Sequence, residues 1–454
     1  MRKGKGFLGF RLLIAVGALA MLGLGAGAAV PASASAEGSN GGNQNICLGG
    51  NKSTTMDGTV VVQTCTIASS FGTCIQHSNA QMVRQRCEFT QTSTMASEKR
   101  AIAIQIHNPE SFDDDQDGTQ VIEVSQSGSS RKNVLDALQI ADQCQGTGDR
   151  YEGPNGDRYD GDRDGDRDDD GRCEDEDEQD NDGEERAEDI SALSLPSPIT
   201  QRQEAHQSID GIQTATGNGK NESKALQYQH LHQRASNAPA IFQSQNVEDR
   251  PNECNDVLDF FNVSNACYTI DQNADSGANV SRLWQIYNLF QSARNTDDGE
   301  QAQGSGNPFN GGLSHGFDQL NTDTTPNSPP IQTSSQNERM NQRRDDTGAM
   351  TWYQHGPLRK EAGNQAGGDG ATATMRQDSV LSSKPEDDGL GHQTDILEIQ
   401  CNSSGNCSGF QHARTNDDEA TNSASGSSIF INIICGDVYE YSPPITTCTP
   451  GPID

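Results

Sequence analysis

The chain has 454 residues, with 32 Lys and Arg against 65 Asp and Glu, and a formal net charge of −33. Such acidity argues against nucleic acids and anionic membranes as partners, because like charges repel until salt screens them. Hydrophobic residues make up 31% of the chain. That share is low for the roughly three domains of about 150 residues that the length allows, so the composition disfavours a helical or doubly wound α/β enzyme.

Residues 1–36 have the composition of a secretory signal peptide. A basic head at Arg2 and Lys3 precedes an apolar run over 12–30, and small residues lead to Ala36. This order predicts cleavage after Ala36 and an exported mature chain. A retained anchor is the alternative, because the apolar run is just long enough to span a bilayer. The Gly/Ala-rich leader is typical of bacterial export, so we predict a secreted or cell-surface protein with no membrane segment after cleavage.

All 12 Cys follow the predicted leader, and an even number of Cys in an exported chain predicts disulfides. The Cys form neighbouring sets: four between Cys47 and Cys87, then Cys144 with Cys173, Cys254 with Cys267, Cys401 with Cys407, and Cys435 with Cys448. Pairing within a set closes the shortest loops at the least cost in entropy. We therefore expect local bridges, although spacing alone does not fix their connectivity.

An acidic segment over residues 149–189 divides the mature chain. It holds 21 acidic and 6 basic residues. A segment of this composition buries too little apolar surface to offset its ordering entropy, so it is predicted to be a disordered Asp/Gly-rich linker. The linker separates a Cys-containing β-rich region over 37–148 from a Gln/Asn-rich β-rich region over 190–454.

The flanking regions contain short stretches in which apolar and other residues alternate. Examples are A-I-A-I-Q-I at 101–106, V-I-E-V at 121–124, D-I-L-E-I-Q at 395–400 and I-F-I-N-I-I at 429–434. A period of two predicts strands with one buried face. A helical interpretation stays open only at 134–141 and 257–261.

Many of these stretches end in Gln at intervals near 22 residues. Gln354, Gln377 and Gln400 are 23 residues apart, and Gln105 precedes Gln126 by 21. A unit of two strands and two turns fits one rung of a stacked solenoid, in which inward amides form ladders along the axis. The alternative is that a Gln-rich composition produces the pattern. We predict a mainly β fold, an irregular β-solenoid or a stack of short strands.

The stretch Q-R-A-S-N-A-P-A-I-F-Q at 233–243 resembles the curlin-type repeat, in which a Gln, an Asn, a small residue and a second Gln recur. The stretch C-I-Q-H-S-N-A-Q-M-V-R-Q at 74–85 is similar. Both lack the Gly that follows the first Gln in the family, their Gln spacing is shorter, and curlins lack this density of Cys. The resemblance covers about a quarter of the chain. It implies a β-solenoid with a surface-structural or fibre-forming role, and it implies no active site.

Carboxylate spacing provides the clearest chemical signal. The pattern D-x-D-x-D-G, which wraps oxygen ligands around calcium, occurs at Asp166, Asp168 and Asp170, with Asp177 at the twelfth position. A second copy has Asp113, Asp115 and Asp117 before Gly118. The Asp-rich segment is similar to the calcium-binding Asp repeats of extracellular matrix and adhesion proteins, which implies calcium as a cofactor. Interleaved arginines oppose a cation by repulsion, and a solvated acidic spacer without bound ions is the alternative.

No motif predicts catalysis. The sequence G-L-S-H-G at 312–316 matches a nucleophile elbow, but turn-rich segments flank it where a strand and a helix are needed. We therefore predict a non-enzymatic, exported, disulfide-stabilised structural or surface-matrix protein that partners itself or a matrix polymer. The alternative is a calcium-dependent adhesion or binding module ordered through the Asp-rich segment. A third hypothesis is a polysaccharide-active β-helix enzyme with paired carboxylates in a groove.

Overall fold

The computed structural model describes residues 42–146, 198–245, 266–304, 317–323, 331–364, 372–384, 390–402, 406–425 and 429–435, apart from short gaps at 93, 95, 112–114, 129, 217, 275–277 and 416–418. Within these ranges the chain forms strands and no helix, which confirms the mainly β prediction. In this part of the chain no helix is long and apolar enough to span a membrane. The predicted leader, the acidic segment and the 312–316 motif lie outside the described residues.

Twenty-one strands follow one another along the described chain. They are β1 (Gln44–Leu48), β2 (Gly50–Asp57), β3 (Val60–Ile67), β4 (Phe71–Ser78), β5 (Met82–Gln91), β6 (Glu98–His107), β7 (Glu110–Ser111), β8 (Gln116–Gln126), β9 (Lys132–Gly146), β10 (Ile199–Ala215), β11 (Lys220–Ser236), β12 (Ala240–Gln245), β13 (Ala266–Ala274), β14 (Ala278–Gly304), β15 (Phe317–Asp323), β16 (Ile331–Asn364), β17 (Thr372–Lys384), β18 (Leu390–Asn402), β19 (Asn406–Arg414), β20 (Glu419–Ser425) and β21 (Ile429–Cys435).

These strands build two parallel sheets between which the chain alternates. In the first sheet β3, β5, β8 and β10 pair successively, followed by β12 and β13. In the second sheet β4, β6, β9, β11 and β14 pair in the same way. The long strands β14 and β16 cross from the second sheet into the first. Each turn of the chain therefore adds one rung to both sheets, as in a solenoid.

The acidic segment does not separate two sheets. Strand β8 pairs in parallel with β10, and β9 pairs with β11, so the strands just before and just after the segment are neighbours in both sheets. The register is continuous across this junction, with Gln120 beside Gln207 and Gln139 beside Gln227. The regions predicted over 37–148 and 190–454 thus contribute rungs to one stack.

Strand β9 corrects the helical interpretation of residues 134–141. Leu135, Ala137 and Gln139 alternate along β9 and lie buried in the interior, while Ile140 lies on the half-exposed outer face. The parallel neighbours β6 and β11 supply backbone partners on both sides, so pairing decides a pattern that periodicity left open. The second helical candidate, over 257–261, lies outside the described residues.

Antiparallel strands close both ends of the stack. At the N-terminal end β2 runs antiparallel to β3 and β1 antiparallel to β4. At the C-terminal end β21 runs antiparallel to β18 and β20 antiparallel to β19. Terminal caps of this kind protect the hydrophobic faces that each rung otherwise buries against its neighbour.

Two disulfides connect the sheets at the N-terminal end. Cys47 bonds to Cys65, and Cys74 bonds to Cys87. In each bridge one Cys belongs to the second sheet and the other to the first, because β1 and β4 lie in one sheet and β3 and β5 in the other. The bridges pair members of the set that the sequence groups between 47 and 87. Cys144 in β9 is also disulfide-bonded.

Candidate functional site

The interior of the stack is lined by buried glutamines that form ladders along the axis. The longest ladder takes one Gln from each of eight successive turns of the second sheet: Gln76, Gln105, Gln139, Gln227, Gln285, Gln336, Gln377 and Gln411. All eight side chains are buried. The ladder is therefore a continuous polar column through the described length of the stack.

Each amide in the column bonds along the axis and also across it. Gln105 donates from Nε2 to Oε1 of Gln76 at 3.0 Å, and Gln139 donates to Oε1 of Gln105 at 2.9 Å. Gln105 Nε2 also donates to the backbone carbonyl of Val121 in the first sheet, at 3.0 Å. Because an amide carries two N–H donors, one side chain links neighbouring rungs and opposite sheets at once.

Shorter ladders repeat this arrangement at other inward positions. In the first sheet they comprise Gln63, Gln85, Gln120 and Gln207; Gln91, Gln126, Gln213 and Gln272; Gln116, Gln203, Gln245, Gln303, Gln354 and Gln393; and Gln201, Gln243 and Gln301. In the second sheet they comprise Gln145, Gln233, Gln291 and Gln342, and Asn133, Asn221 and Asn279. Axial amide ladders are thus confirmed as the reason for Gln at inward strand positions.

The predicted unit of about 22 residues matches some ladder steps and not others, because connections between strands vary in length. Ladder neighbours lie 22 residues apart at Gln63 and Gln85 but 35 apart at Gln85 and Gln120. Gln126 stacks on Gln91 and not on Gln105. Recurrent Gln therefore identifies inward positions, whereas its spacing does not identify ladder partners.

The two curlin-like stretches contribute their glutamines to different ladders. Gln233 lies in β11 of the second sheet, and Gln243 lies in β12 of the first sheet. Asn237 between them occupies the left-handed backbone region, with φ of 59°, where Asn is among the most tolerated residues. Each stretch therefore spans the corner between the two sheets.

Of the predicted calcium ligands, only Asp115 and Asp117 lie among the described residues; Asp113, Asp166, Asp168, Asp170 and Asp177 lie outside them. Asp115 is exposed just before β8, and Asp117 lies within β8. The calcium-loop pattern assigns Gly118 to a sharp turn, but Gly118 is part of an extended strand. A Cβ at Gly118 would lie 2.1 Å from Nδ1 of His107, so glycine there makes room for that ring.

His107 is a buried, neutral imidazole in the interior. Burial lowers the pKa of His107 to about 4. Its Nε2 lies 2.8 Å from the backbone carbonyl of Ala80. A ring held in this way is a structural group whose protonation is unfavourable in the folded chain.

Asp117 belongs to a cluster on the outer face of the first sheet. Parallel pairing places Asp117 beside Glu204 and Thr119 beside His206, so the period of two brings Glu204 and His206 onto one face next to Asp117. One ligand atom from each of Asp117, Glu204 and His206 lies within 4.8 Å of the other two. All three side chains are partly buried. The pattern E-A-H at 204–206 is the sequence signal that locates two of them once strand pairing is known.

The three side chains have different electrostatic surroundings. Burial raises the pKa of Asp117, and Oδ1 of this carboxyl is buried with no hydrogen-bond partner among the described residues. Burial alone would raise the pKa of Glu204, but hydrogen bonds and attraction from His206 and Arg202 together lower it. Arg202 donates from Nε to Oε1 of Glu204 at 2.7 Å, and His206 Nε2 lies 3.7 Å from Oε2.

The outer faces of the two sheets differ in character. On the first sheet Glu88, Glu123 and Asp210 lie side by side on β5, β8 and β10. Burial, followed by repulsion from Glu123, raises the pKa of Asp210 to about 6. The second sheet carries two aligned outer rows, Ile104, Leu138, Leu226 and Trp284 in one and Ile106, Ile140, Tyr228 and Ile286 in the other. The outer face of the first sheet therefore carries a row of carboxylates, and that of the second sheet carries two apolar rows beside charged pairs such as Arg100 with Asp136.

No family model, curated protein or solved structure matches this chain.

Proposed function

We propose that this protein is an exported, disulfide-stabilised structural element of a cell surface or extracellular matrix. The observation that supports this role best is the eight-residue Gln ladder, whose members are bonded to one another from the first turn of the stack to the last. In an interior of this kind, polar side chains are used for cohesion between rungs and between sheets.

The two disulfides support the exported location. Cys47, Cys65, Cys74 and Cys87 form bridges between the sheets, and bridges persist in oxidising compartments, whereas the cytosol keeps thiols reduced. The predicted leader at 1–36 agrees with this location.

The outer face of the second sheet supports self-association. Each of its two apolar rows takes one residue from each of four neighbouring strands, which are about 4.8 Å apart. Leu138 is buried, most of the other members are half-buried, and Trp284 at one end of its row is 38% exposed. An apolar patch of this kind on an outer face is typical of interaction sites. The proposed occupant is a second copy, packed face to face through the same rows, with a matrix polymer as the other outcome of the test.

The compartment is tested by trapping thiols in cells of the source organism. Cells are lysed in acid, free thiols are alkylated, and peptides containing Cys47, Cys65, Cys74 and Cys87 are analysed by mass spectrometry. We expect the mature chain, cleaved after Ala36, in the extracellular or surface fraction with these four residues oxidised. Recovery in the cytosol with alkylated thiols would contradict export and the role that depends on it.

Self-association is tested by sedimentation velocity over a concentration series. Trp284→Lys places a charge on the apolar face of the second sheet and should shift the protein towards the monomer. Ile212→Lys is the matched control, because Ile212 is also an exposed apolar residue, 54% exposed, but lies on the first sheet. A monomeric parent, or equal effects of the two substitutions, would rule out the second copy. Binding of the parent to a polysaccharide pull-down, lost in Trp284→Lys, would then identify a polymer as the occupant.

A further inference from the structure

The Asp117, Glu204 and His206 cluster is the strongest unassigned feature of the outer surface. Its three side chains come from two neighbouring strands whose register is fixed by eleven paired residues between β8 and β10. Rigid strands hold ligand atoms more accurately than loops do. The atoms lie within 4.8 Å of one another, and Nε2 of His206 is 3.7 Å from Oε2 of Glu204. Ligand atoms at about 2.0 to 2.2 Å from one ion are roughly 3.3 to 3.6 Å apart in a tetrahedral site, so the cluster has to contract slightly around the ion.

Asp117 supplies an independent reason to expect a cation. Its Oδ1 is buried and has no hydrogen-bond partner in the described part of the structure. A buried carboxylate oxygen without a donor is costly and rare in folded proteins. Glu204 and His206 lie on the same outer face as Asp117, on the neighbouring strand β10. An ion held by all three side chains would bind this oxygen.

The ligand types select the class of ion. Calcium takes six to eight oxygen ligands, whereas this cluster offers two carboxylates and one imidazole nitrogen. Mixed nitrogen and oxygen sets of three residues suit first-row transition metals, with zinc and water completing a tetrahedral site. We propose that Asp117, Glu204 and His206 bind a divalent transition metal ion such as Zn²⁺.

Such an ion would join the two sides of the acidic segment. Asp117 precedes that segment in sequence, and Glu204 and His206 follow it. A shared metal would crosslink β8 to β10, the first-sheet strands on either side of the acidic segment. It would stabilise the middle of the stack, as the disulfides stabilise its N-terminal end.

Arg202 competes with a metal ion for the Glu204 carboxylate, so replacing Arg202 should increase the metal affinity. Its guanidinium bonds to Glu204 through Nε and Nη2 and competes with a cation for the carboxylate. Removing Arg202 should release Glu204 and strengthen metal binding, an effect that a damaged fold would not produce.

The experiment is a Zn²⁺ titration of the full-length, oxidised protein after removal of metals with a chelator, followed by calorimetry and by competition with a chromogenic chelator. We expect Asp117→Asn and His206→Gln to weaken one zinc site at least about tenfold, and Arg202→Ala to tighten it. Glu123→Gln is the matched control. Glu123 is a carboxylate on the same outer face, but its neighbours on the adjacent strands are Glu88 and Asp210 and not a histidine. This substitution should leave the site unchanged.

The outcomes separate this site from other ion binding by the chain. Calcium, titrated in parallel, should bind with the same affinity to the parent and to His206→Gln, because an imidazole contributes little to a calcium site. Cobalt substitution should give a visible absorption band that the His206→Gln variant lacks. If the parent and both ligand variants bind zinc with equal affinity and stoichiometry, or if Arg202→Ala weakens binding, the proposed site is wrong.

Discussion

Replacing Gln139 by leucine tests whether the amide ladder stabilises the stack. Nε2 of Gln139 donates to Oε1 of Gln105 at 2.9 Å and to the backbone carbonyl of Gln120 at 3.0 Å. Its Oε1 accepts from Gln227 at 2.9 Å. Leucine has a similar size but no polar atoms, so the substitution leaves the Gln105 oxygen without this donor and one Gln227 N–H without this acceptor.

The expected cost follows from these two losses. A buried polar group that loses its partner costs about 1 to 3 kcal/mol, and two side-chain groups lose theirs. The backbone carbonyls of Gln120 and Ser208 lose a donor as well, which adds to this cost. Burial of the apolar leucine side chain stabilises the fold by roughly 1 to 2 kcal/mol. With two side-chain losses of about 2 kcal/mol each and a gain of about 1.5 kcal/mol, the free energy of unfolding should fall by at least about 2.5 kcal/mol.

Gln207→Leu is the matched control, at the end of a ladder. Gln207 donates to Oε1 of Gln120 at 2.9 Å, but its own Oε1 is buried and accepts no hydrogen bond from the part of the chain that the structure describes. Leucine at position 207 leaves Oε1 of Gln120 without this donor, and it removes an oxygen that was already unsatisfied. The free energy of unfolding should therefore fall by only about 0 to 2 kcal/mol. Urea unfolding of the oxidised proteins, followed by circular dichroism, measures both variants. Equal losses, or a Gln139→Leu variant as stable as the parent, would refute the reasoning.

Three further predictions concern the disulfides and the buried titrating groups. The double substitution of Cys74 and Cys87 by serine should cost about 2 to 4 kcal/mol locally, and hydrogen exchange should show lost protection in β3 to β6 but not in β17 to β19; uniform loss along the stack would contradict a local bridge. The pKa of His107 is lowered from 6.5 to about 4, so the stability it contributes above pH 6.5 is lost as the pH falls towards 4; between pH 7 and 5 that loss is about 2 kcal/mol, and a His107→Gln variant that keeps the full loss would exclude this residue as its source. The pKa of Asp210 is raised to about 6, so this residue favours the fold increasingly as the pH falls below 6, by about 1 kcal/mol at pH 5; Asp210→Asn should remove that gain in urea titrations at pH 5 and 7, and an unchanged gain would refute it.

The sequence predicts the local structure and the ladders for physical reasons. Alternation along 101–106 leaves Ile104 half-buried on the outer face and buries Gln105, and an amide at an inward position has to find partners among its axial neighbours. These are consequences of strand geometry within one or two rungs.

Long-range pairing is what the sequence does not determine. The 134–141 segment has apolar residues at spacings compatible with either a helix or a strand, and only its neighbours β6 and β11 decide in favour of a strand. The Asp117 cluster depends on the same information, because Glu204 and His206 lie far along the chain and approach Asp117 only through the register of β8 with β10. Motif spacing instead assigned Asp117 and Gly118 to a calcium loop.

The capped ends limit the directions in which such a stack can associate. Gln63 ends its ladder at the N-terminal side, because its Nε2 donates to the backbone carbonyls of Gln44 and His77, each at 3.0 Å, and the residue paired with it in the antiparallel β2 is Thr54. A second copy cannot extend this amide ladder without displacing the cap, whereas the apolar outer face of the second sheet is available for lateral contact. Eight turns at about 4.8 Å each give a parallel stack roughly 40 Å long. Electron microscopy of concentrated protein should therefore show particles of constant length along the strand-stacking axis that associate side by side, and fibres that lengthen along this axis with time would refute the assignment of the caps.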